Sequence, residues 1–547
     1  MIDTRIFNKL GIMSGVIAVV LLSGCGVRDM AHQEVTRGAP HPYPQAKPAA
    51  QPMTAAIYAP AETVGVHGSG QYLQPNYDAL DREEYNKISE NQFLAVLENP
   101  MSTFSIDVDT AAYSNVRRFI NQGSLPPVDA VRIEEMINYF DYDYPAPKGN
   151  VPFSITTESG PAPWNPEHKL VHIGLKGKVI DEAQLPAANL VFLIDVSGSM
   201  SARLPLVKSS MKLLVKKMRP QDRVAIVVYA GAAGLVLEST SGSDKETIYD
   251  AIDNLRAGGS TAGGAGIKLA YKVAIDNFKQ NGNNRLILAS DGDFNVGPSS
   301  QSDLQKLIEK KRESGVFLTV LGFGMGNYRD GLAETLANKG NGNYAYIDSM
   351  QEAKKTLVNE FGGTMMTIAK DVKLQIQFNP AAVQSYRLIG YENRLLHNED
   401  FDNDKKDAGE LGSGHTVTAI YEVIPTKAGD KVKTGNSPRY VKQDKQGSTA
   451  DELMYVKFRY KEPYADKSKL IEKIVKRSDD QSDSHRFQLS AAVAEFGMLL
   501  RNSQFKGKAN YQQVISLARA GKGEDKHGYR SQFITLVETA EEIAAVK

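Results

Sequence analysis

Side chains with oxygen donors stand out in three separate segments of this sequence. The run Asp195–Ser199 reads Asp-Val-Ser-Gly-Ser, a later glycine-rich loop contains Thr261, and Asp291-Gly292 follows a stretch typical of a strand. In an open α/β sheet the carboxyl ends of parallel strands form one edge, and ligands bind there. We therefore predict that one site at that edge collects the donors Asp195, Ser197, Ser199, Thr261 and Asp291.

The donor types indicate a hard divalent cation. Hydroxyls and carboxylates without histidine or cysteine suit Mg²⁺, with Mn²⁺ or Ca²⁺ as alternatives. The hydroxyls are neutral, so the two carboxylates can do no more than balance the charge of the ion. If one carboxylate reaches the ion through water, an Asp or Glu from a protein partner becomes a favourable further ligand. No general base is evident beside this set, so an enzyme is not predicted.

The segment from residue 189 to about 361 supplies the elements that position these donors. Strands and helices alternate there, which indicates βαβ units and a doubly wound (Rossmann-like) α/β fold with a mainly parallel sheet. The predicted strands are Asn189–Ile194, Arg223–Tyr229, Arg285–Ser290 and Val316–Gly322. Predicted helices follow the first strand and also cover Gly266–Phe278, Ser302–Arg312 and Met350–Phe361.

The flanking segments have other patterns. Residues 103–109 alternate like a strand, Asp109 or Thr110 is placed to cap a helix through Phe119, and a second helix is predicted over 130–140. After Thr364 the pattern is that of antiparallel strands. From about Phe487 it is helical, with helices predicted over Phe487–Arg501, Tyr511–Ala520 and Tyr529–Ala545. We predict that strands within 152–176 and 371–460 form one β-sandwich, with the α/β domain inserted between them.

The N-terminus has the features of a bacterial export signal. A basic start precedes an apolar stretch, Ile12–Leu22, which is too short to span a bilayer comfortably. It ends in Leu22-Ser23-Gly24-Cys25, which resembles a lipobox, and Cys25 is the single cysteine of the chain. The resemblance implies attachment of diacylglycerol to Cys25. The following residues, to about Tyr85, are rich in proline, alanine and glutamine and are predicted to be a disordered tether.

The three oxygen-bearing segments together resemble the metal-ion-dependent adhesion site of von Willebrand factor A domains. The resemblance covers the Asp-x-Ser-x-Ser run, the threonine in the glycine-rich loop and the strand-terminal Asp-Gly. It implies that Ser197 and Ser199 coordinate the ion directly. Thr261, Asp195 and Asp291 would coordinate it directly or through water.

Segments outside the α/β domain are similar to YfbK-type bacterial lipoproteins. The similar segments include Val131–Phe140, Tyr386–Arg394 and Phe496–Arg501. The domain organisation predicted with this resemblance is a signal peptide over 1–24, a lipid-anchored tether over 25–88, a family-specific region over 89–186, the A domain over 187–361, and a β-rich then helical region over 362–547.

Charge and motifs exclude several function classes. Lys+Arg and Asp+Glu both number 64, so nothing favours a nucleic-acid surface. Gly322–Gly326 lacks the spacing of a dinucleotide fingerprint, and Gly259–Lys268 lacks the ending of a phosphate-binding loop, so no nucleotide is predicted. Gly322–Gly326 is interpreted instead as a loop at the sheet edge that flanks the cation face. Asp107 and Asp109 could bind a second ion, but a helix cap at Asp109 is the preferred interpretation.

The sequence therefore predicts a cell-envelope lipoprotein that grips an acidic residue of a protein partner through a divalent cation. Membrane attachment through the N-terminal lipid is expected. In a Gram-negative cell the outer membrane is favoured, because Gly26 follows the cysteine where an aspartate would signal inner-membrane retention. Two alternatives stay open: a structural spacer without metal-dependent binding, and a subunit of a metal-assisted hydrolase.

Overall fold

The computed structural model describes residues 83–149, 151–260, 263–292, 301–326, 328–429, 451–463, 465–478 and 481–546. The predicted signal peptide, Cys25 and most of the predicted tether lie outside the described residues, and so does Thr261. None of the described helices combines the length and the apolar character needed to cross a bilayer.

Sixteen strands and twelve α-helices make up the described chain. The strands are β1 (Leu94–Ala95), β2 (Met101–Ser105), β3 (Phe153–Ala162), β4 (Asn165–Gly177), β5 (Ala188–Asp195), β6 (Arg223–Tyr229), β7 (Ala233–Ser241), β8 (Asn283–Ser290), β9 (Val316–Gly322), β10 (Tyr344–Tyr346), β11 (Thr367–Phe378), β12 (Val383–Ile389), β13 (Gly409–Gly412), β14 (Thr416–Pro425), β15 (Glu452–Lys461) and β16 (Lys469–Lys476). The helices are α1 (Ala111–Asn121), α2 (Ile133–Asn138), α3 (Leu204–Lys217), α4 (Lys245–Asp253), α5 (Gly263–Asp276), α6 (Gln301–Arg312), α7 (Asp330–Lys339), α8 (Met350–Lys354), α9 (Phe361–Met365), α10 (His485–Arg501), α11 (Tyr511–Ala520) and α12 (Tyr529–Val546).

The α/β domain is built on a six-stranded sheet in the order β10-β9-β8-β5-β6-β7. All pairs are parallel except β6 with β7. Every residue of β5 is buried, because helices cover both faces of the sheet. Phe192 and Ile194 belong to the core on one face, and Val191 and Leu193 to the core on the other. The predicted doubly wound α/β fold is confirmed.

Several elements of this domain differ from the sequence prediction. The predicted helix over Met350–Phe361 is divided into α8, a π-helical turn at Lys355–Asn359, and α9. Helices α4 and α7 and strands β7 and β10 were not predicted. Strand β7 is antiparallel and lies at the edge of the sheet, with Leu235 and Val236 exposed.

The strands on either side of the α/β domain form a β-sandwich. One sheet has the order β1-β12-β14-β4-β3, and the other has β13-β11-β15-β16 with β2 also paired to β11. Strand β4, which precedes the α/β domain, pairs with β14, which follows it, with Ile173 opposite Ala419. Both sheets contribute to one core, which contains Phe104, Ile173 and Leu374. The predicted sandwich and the insertion of the α/β domain agree with this topology.

The C-terminal helices lie against the outer face of the first sheet. Helix α10 is nearly buried throughout, and its Ser484 side chain caps it by accepting the Phe487 N–H at 3.0 Å. Together with α1 and α2 these helices enclose a fourth core that contains Trp164 and Phe533. The predicted C-terminal helical region is confirmed.

Two N-terminal predictions are wrong in detail. Of the two predicted cap residues, Thr110 occupies the N-cap position of α1, without a side-chain cap bond. Asp109 does not cap α1, because its carboxylate accepts the Tyr344 N–H at 2.8 Å and lies near Arg394. The last part of the predicted tether, residues 83–88, is packed on the domain. Glu84 donates its N–H to the Tyr328 carbonyl at 2.9 Å, and the Ile88 N–H is bound by Asp129.

Glu495 in α10 makes the stability of the protein depend on pH. Its side chain is buried, one carboxylate oxygen accepts the Asn510 N–H at 3.2 Å, and burial raises its pKa from 4.5 to about 7. The folded state favours the protonated form of Glu495. The contribution of this side chain to the free energy of unfolding is therefore fully present below pH 4.5 and is lost as the pH rises through 7. By pH 8 the loss is on the order of 3 kcal/mol.

We expect Glu495→Gln to remove most of this loss. Urea denaturation at pH 5 and at pH 8 gives two free energies of unfolding, and the difference between them measures the loss. Glu542→Gln, on the exposed face of α12, is the matched control and should behave like the unmodified protein. Equal pH dependence in the Glu495→Gln variant and the unmodified protein would contradict the assignment.

Candidate metal-dependent adhesion site

The ends of two neighbouring strands place the predicted carboxylates at one edge of the sheet. Strand β5 ends at Asp195, which is in register with Tyr229 at the end of β6. On its other side β5 pairs with β8, where Ile194 lies opposite Ala289. Asp291 therefore follows the end of β8 on the same edge.

A tight turn after β5 organises the first donors. One carboxylate oxygen of Asp195 accepts the Ser197 N–H at 2.9 Å, which folds the chain back over the end of the strand. The Ser197 and Ser199 hydroxyls then lie 3.0 Å apart. Ser197 is buried and Ser199 is exposed, so this pair of oxygens leads from the buried Asp195 to the surface.

The glycine-rich loop is hydrogen-bonded to that turn. The Gly198 N–H donates to the Gly259 carbonyl at 3.1 Å, and the Gly258 N–H donates to the Val196 carbonyl at 2.8 Å. Gly259 has φ +85°, a conformation that favours glycine. The structure thus brings the loop that precedes Thr261 to the Asp195 turn. Thr261 itself stays a prediction.

Close backbone packing fixes the position of Asp291. A Cβ added at Gly324, in the loop after β9, would lie 2.3 Å from the Asp291 carbonyl oxygen. Only a glycine allows this approach without a shift of either chain. Gly292, with φ +82°, makes a similarly close approach to Tyr328. The loop 322–326, which the sequence analysis set aside as a nucleotide motif, therefore supports the candidate site.

Ser290 is a further hydroxyl that the sequence analysis did not single out. Its hydroxyl donates to the second oxygen of Asp195 at 3.4 Å and accepts the Gly292 N–H at 3.0 Å. The signal was available, since Ser290 directly precedes Asp291 at the end of a predicted strand. Its contact with Asp195, however, depends on the pairing of β8 with β5.

The electrostatics of Asp195 fit a site for a cation. Burial and, to a smaller extent, the nearby Asp291 raise the pKa of Asp195 to about 6, although hydrogen bonds from Ser197 and Tyr229 lower it. Throughout the described ranges Asp195 forms no ion pair with a lysine or an arginine. A buried carboxylate that lacks a cationic partner is costly, and a divalent cation beside it would remove that cost. The described donors are all oxygens, which fits Mg²⁺.

A second acidic cluster lies elsewhere in the molecule. Carboxylate oxygens of Asp107, Glu135 and Glu334 lie within 4.8 Å of one another, all buried. Arg394 pairs with Asp107 at 2.9 Å, and Arg132 pairs with Glu135 at 3.0 Å and Glu334 at 3.2 Å. Arginines therefore occupy the positions around these carboxylates. The cluster is an ion-pair network that joins α2 to α7 of the α/β domain.

Three family models match successive parts of the chain. Residues 189–360 match the von Willebrand factor type A domain family. Residues 79–172 match a family described as von Willebrand factor, and residues 363–543 match the C-terminal region of the uncharacterized protein YfbK. The α/β domain is thus a von Willebrand factor type A domain.

Individual relatives extend the match to most of the chain. The uncharacterized protein YfbK of Escherichia coli strain K12 is 45% identical over 476 residues, which cover 84% of this chain and 82% of that protein. The uncharacterized protein sll0103 of a Synechocystis strain is 27% identical over 34% of this chain and 44% of that protein. The crystal structure of the hypothetical protein BatB from Bacteroides thetaiotaomicron covers 32% of this chain and 97% of its own, at 23% identity and a TM-score of 0.27. The chain belongs to the YfbK family.

The close approach of Gly324 to Asp291 can be tested with the metal alone. We expect Gly324→Ala to displace Asp291 and to weaken Mg²⁺ binding by about tenfold, as changes that support a metal ligand commonly do. Isothermal titration calorimetry with MgCl₂ measures the affinity.

Gly234→Ala is the matched control, because nothing lies within 4 Å of a Cβ added there. Thermal unfolding of both variants separates a local displacement from a loss of fold. An unchanged Mg²⁺ affinity in folded Gly324→Ala protein would show that Asp291 does not need this support.

Proposed function

We propose that this protein binds an acidic side chain of a protein partner through a divalent cation held by its A domain. Mg²⁺ is the favoured ion, with Mn²⁺ or Ca²⁺ as alternatives. Asp195, Ser197, Ser199, Thr261 and Asp291 are the proposed ligands, directly or through water. The partner would contribute an Asp or Glu carboxylate as a further ligand.

The observation that carries this proposal is the arrangement of the Asp195 turn. Asp195 is fully buried and pairs with no lysine or arginine among the residues that the structure describes, while Ser199, at the outer end of the same turn, is exposed. A cation beside these residues would be bound by Asp195 on its buried side and would remain accessible to a partner on its other side. Since the hydroxyl ligands are neutral, such an ion keeps net positive charge and attracts a carboxylate.

A binding role is proposed in preference to catalysis. The hydroxyls of Ser197 and Ser199 bond to each other, and Asp195 is bonded to an amide and to Ser290. A hydrolase would need a base aimed at a metal-bound water. Neither histidine nor glutamate appears in these contacts of the described residues.

Anchoring at the cell envelope is the second part of the proposal. The lipobox-like Leu22-Ser23-Gly24-Cys25 supports attachment of lipid to Cys25, and Gly26 favours the outer membrane of a Gram-negative cell. The A domain would then act at the membrane surface, within reach of envelope proteins.

Partner capture should depend on both the cation and Asp195. We expect envelope proteins to cross-link to the full chain in MgCl₂. The same proteins should be absent from the cross-linked sample when a chelator is added, and absent when the Asp195→Asn variant is used. The asparagine keeps the size of the side chain and removes one of the charges that hold the ion. Quantitative mass spectrometry of cross-linked pull-downs measures the loss.

Asp276→Asn is the matched control, because Asp276 is exposed at the far end of α5 and pairs with Lys272. Its capture should equal that of the unmodified protein. Capture that persists in chelator would refute the role of the cation and favour a structural spacer, and turnover of an envelope substrate would favour the hydrolase alternative.

The anchor can be tested separately. We expect Cys25→Ser to move the protein from the membrane fraction to the soluble fraction, because no thiol remains to carry the lipid. Immunoblots of fractionated cells, with metabolic labelling by a fatty acid, measure the change. Continued membrane association and labelling in the Cys25→Ser variant would exclude Cys25 as the lipid attachment site.

A further inference from the structure

A cavity of about 460 Å³ lies at the edge of the α/β sheet opposite to Asp195. The starts of β8 and β9 form one wall, and β11 and β13 of the sandwich form the other. Arg285, Phe317, Lys370 and Glu410 are among the lining residues. Its volume falls in the range of small-molecule sites. The cavity has no part in the proposed binding through the cation.

Arg285 is the unusual residue of this cavity. Its exposed fraction is 2%, and among the described residues it makes one hydrogen bond, from Nη1 to the Thr319 hydroxyl at 2.8 Å. Its Nε has no partner, and it forms no ion pair with any acid in the described parts of the chain. A buried guanidinium without a carboxylate partner is unfavourable, and an anion bound in the cavity would remove that cost.

The cations that line the cavity outnumber its acids, since Arg285, Lys370 and Arg312 stand against Glu410 and Glu313. Glu410 is the acid that acts on Arg285, but burial raises the pKa of Glu410 to about 8, so at neutral pH it is mostly uncharged. Burial lowers the pKa of Arg285 to about 10, which still leaves it charged. Lys370 adds a second cation. Arg312, also at the cavity, is already paired with Asp407 at 2.6 Å.

Two phenylalanines form an apolar part of the remaining wall, beside polar residues such as Gln280 and Asn284. Phe278 and Phe317 both line the cavity, and the Arg285 guanidinium carbon lies 5.9 Å from the centroid of the Phe317 ring. Phe278 is 40% exposed, which is high for so large an apolar side chain. A ligand that fits must therefore combine an anionic group with an apolar body.

We propose that this cavity binds a small organic carboxylate with a compact aromatic or aliphatic body. Its carboxylate pairs with the guanidinium of Arg285, and its body lies between Phe278 and Phe317. A guanidinium presents parallel N–H donors that match the two oxygens of a carboxylate. The ligand would thus supply the partner that Arg285 lacks.

A pair of probes that differ in charge alone tests this ligand class. We expect 2-naphthoate to bind the full chain at least about tenfold more tightly than the neutral 2-naphthamide, because a hydrogen-bonded charge pair discriminates by about that factor. Isothermal titration calorimetry at pH 7 measures both affinities. Arg285→Met should abolish the preference, whereas Lys306→Met, which removes an exposed cation of α6, should leave it unchanged.

Thermal unfolding without ligand gives an independent readout. An arginine retained for a ligand, and not for the fold, can be replaced by an apolar residue of similar length at no cost. We therefore expect the Tm of Arg285→Met to equal or exceed that of the unmodified protein. In the unmodified protein, 2-naphthoate should raise the Tm, and 2-naphthamide should not.

Three results would overturn the proposal. Equal affinity for the two probes would show that charge is not recognised, and failure of 2-naphthoate to bind would exclude the ligand class. A Tm lower by more than about 5 °C in Arg285→Met, roughly 1–2 kcal/mol for a domain of this size, would show that Arg285 serves the fold.

Discussion

The pairing of β5 with β6 and β8 is the constraint on which the candidate site depends. Two in-register parallel pairings force Asp195, Tyr229 and Ser290 to end at one edge, whatever the loops after them do. The apolar side chains of β5 enter the cores on both faces of the sheet, so the strand cannot slide without exposing them. The oxygen donors are positioned because the hydrophobic core fixes the register.

The sandwich imposes a different constraint, because its sheets need strands from both sides of the α/β domain. Strands β4 and β14 pair with each other although the whole inserted domain lies between them in the sequence. Where the chain leaves the sandwich, Gly177 donates its N–H to the His415 carbonyl. Buried ion pairs then join the inserted domain to the surrounding helices. Arg132, which precedes the inserted domain in the sequence, and Arg394, which follows it, both pair with Glu334 of that domain.

How much the sequence could predict depended on whether a feature is local. Asp195, Ser197 and Asp291 could be placed because strand ends are visible in the hydrophobic pattern and share an edge in any parallel sheet. Helix α11 was also predicted with its observed ends, since its apolar face and the preceding Asn510 are local signals.

Features that depend on distant contacts could not be predicted. Asp109 precedes a helix as a cap would, but Tyr344 and Arg394 hold its carboxylate instead. The loop that contains Gly324 was expected to flank the cation face, but the close approach of Gly324 to Asp291 became visible only once β9 was paired with β8. The buried Lys355, in the π-helical turn, is held by Glu360 and lies 4.3 Å from the ring centroid of Tyr139. No local pattern reveals such a partner.

The attachment of residues 83–88 has a mechanical consequence. Glu83 accepts the Gly326 N–H at 2.7 Å and pairs with Arg118, so the chain enters the folded part next to the loop that supports Asp291. A pull on the N-terminal segment would therefore reach the folded part at the same edge of the sheet as the candidate site. Because Glu83 also pairs with Arg118, the load would be shared between the loop at Gly326 and α1.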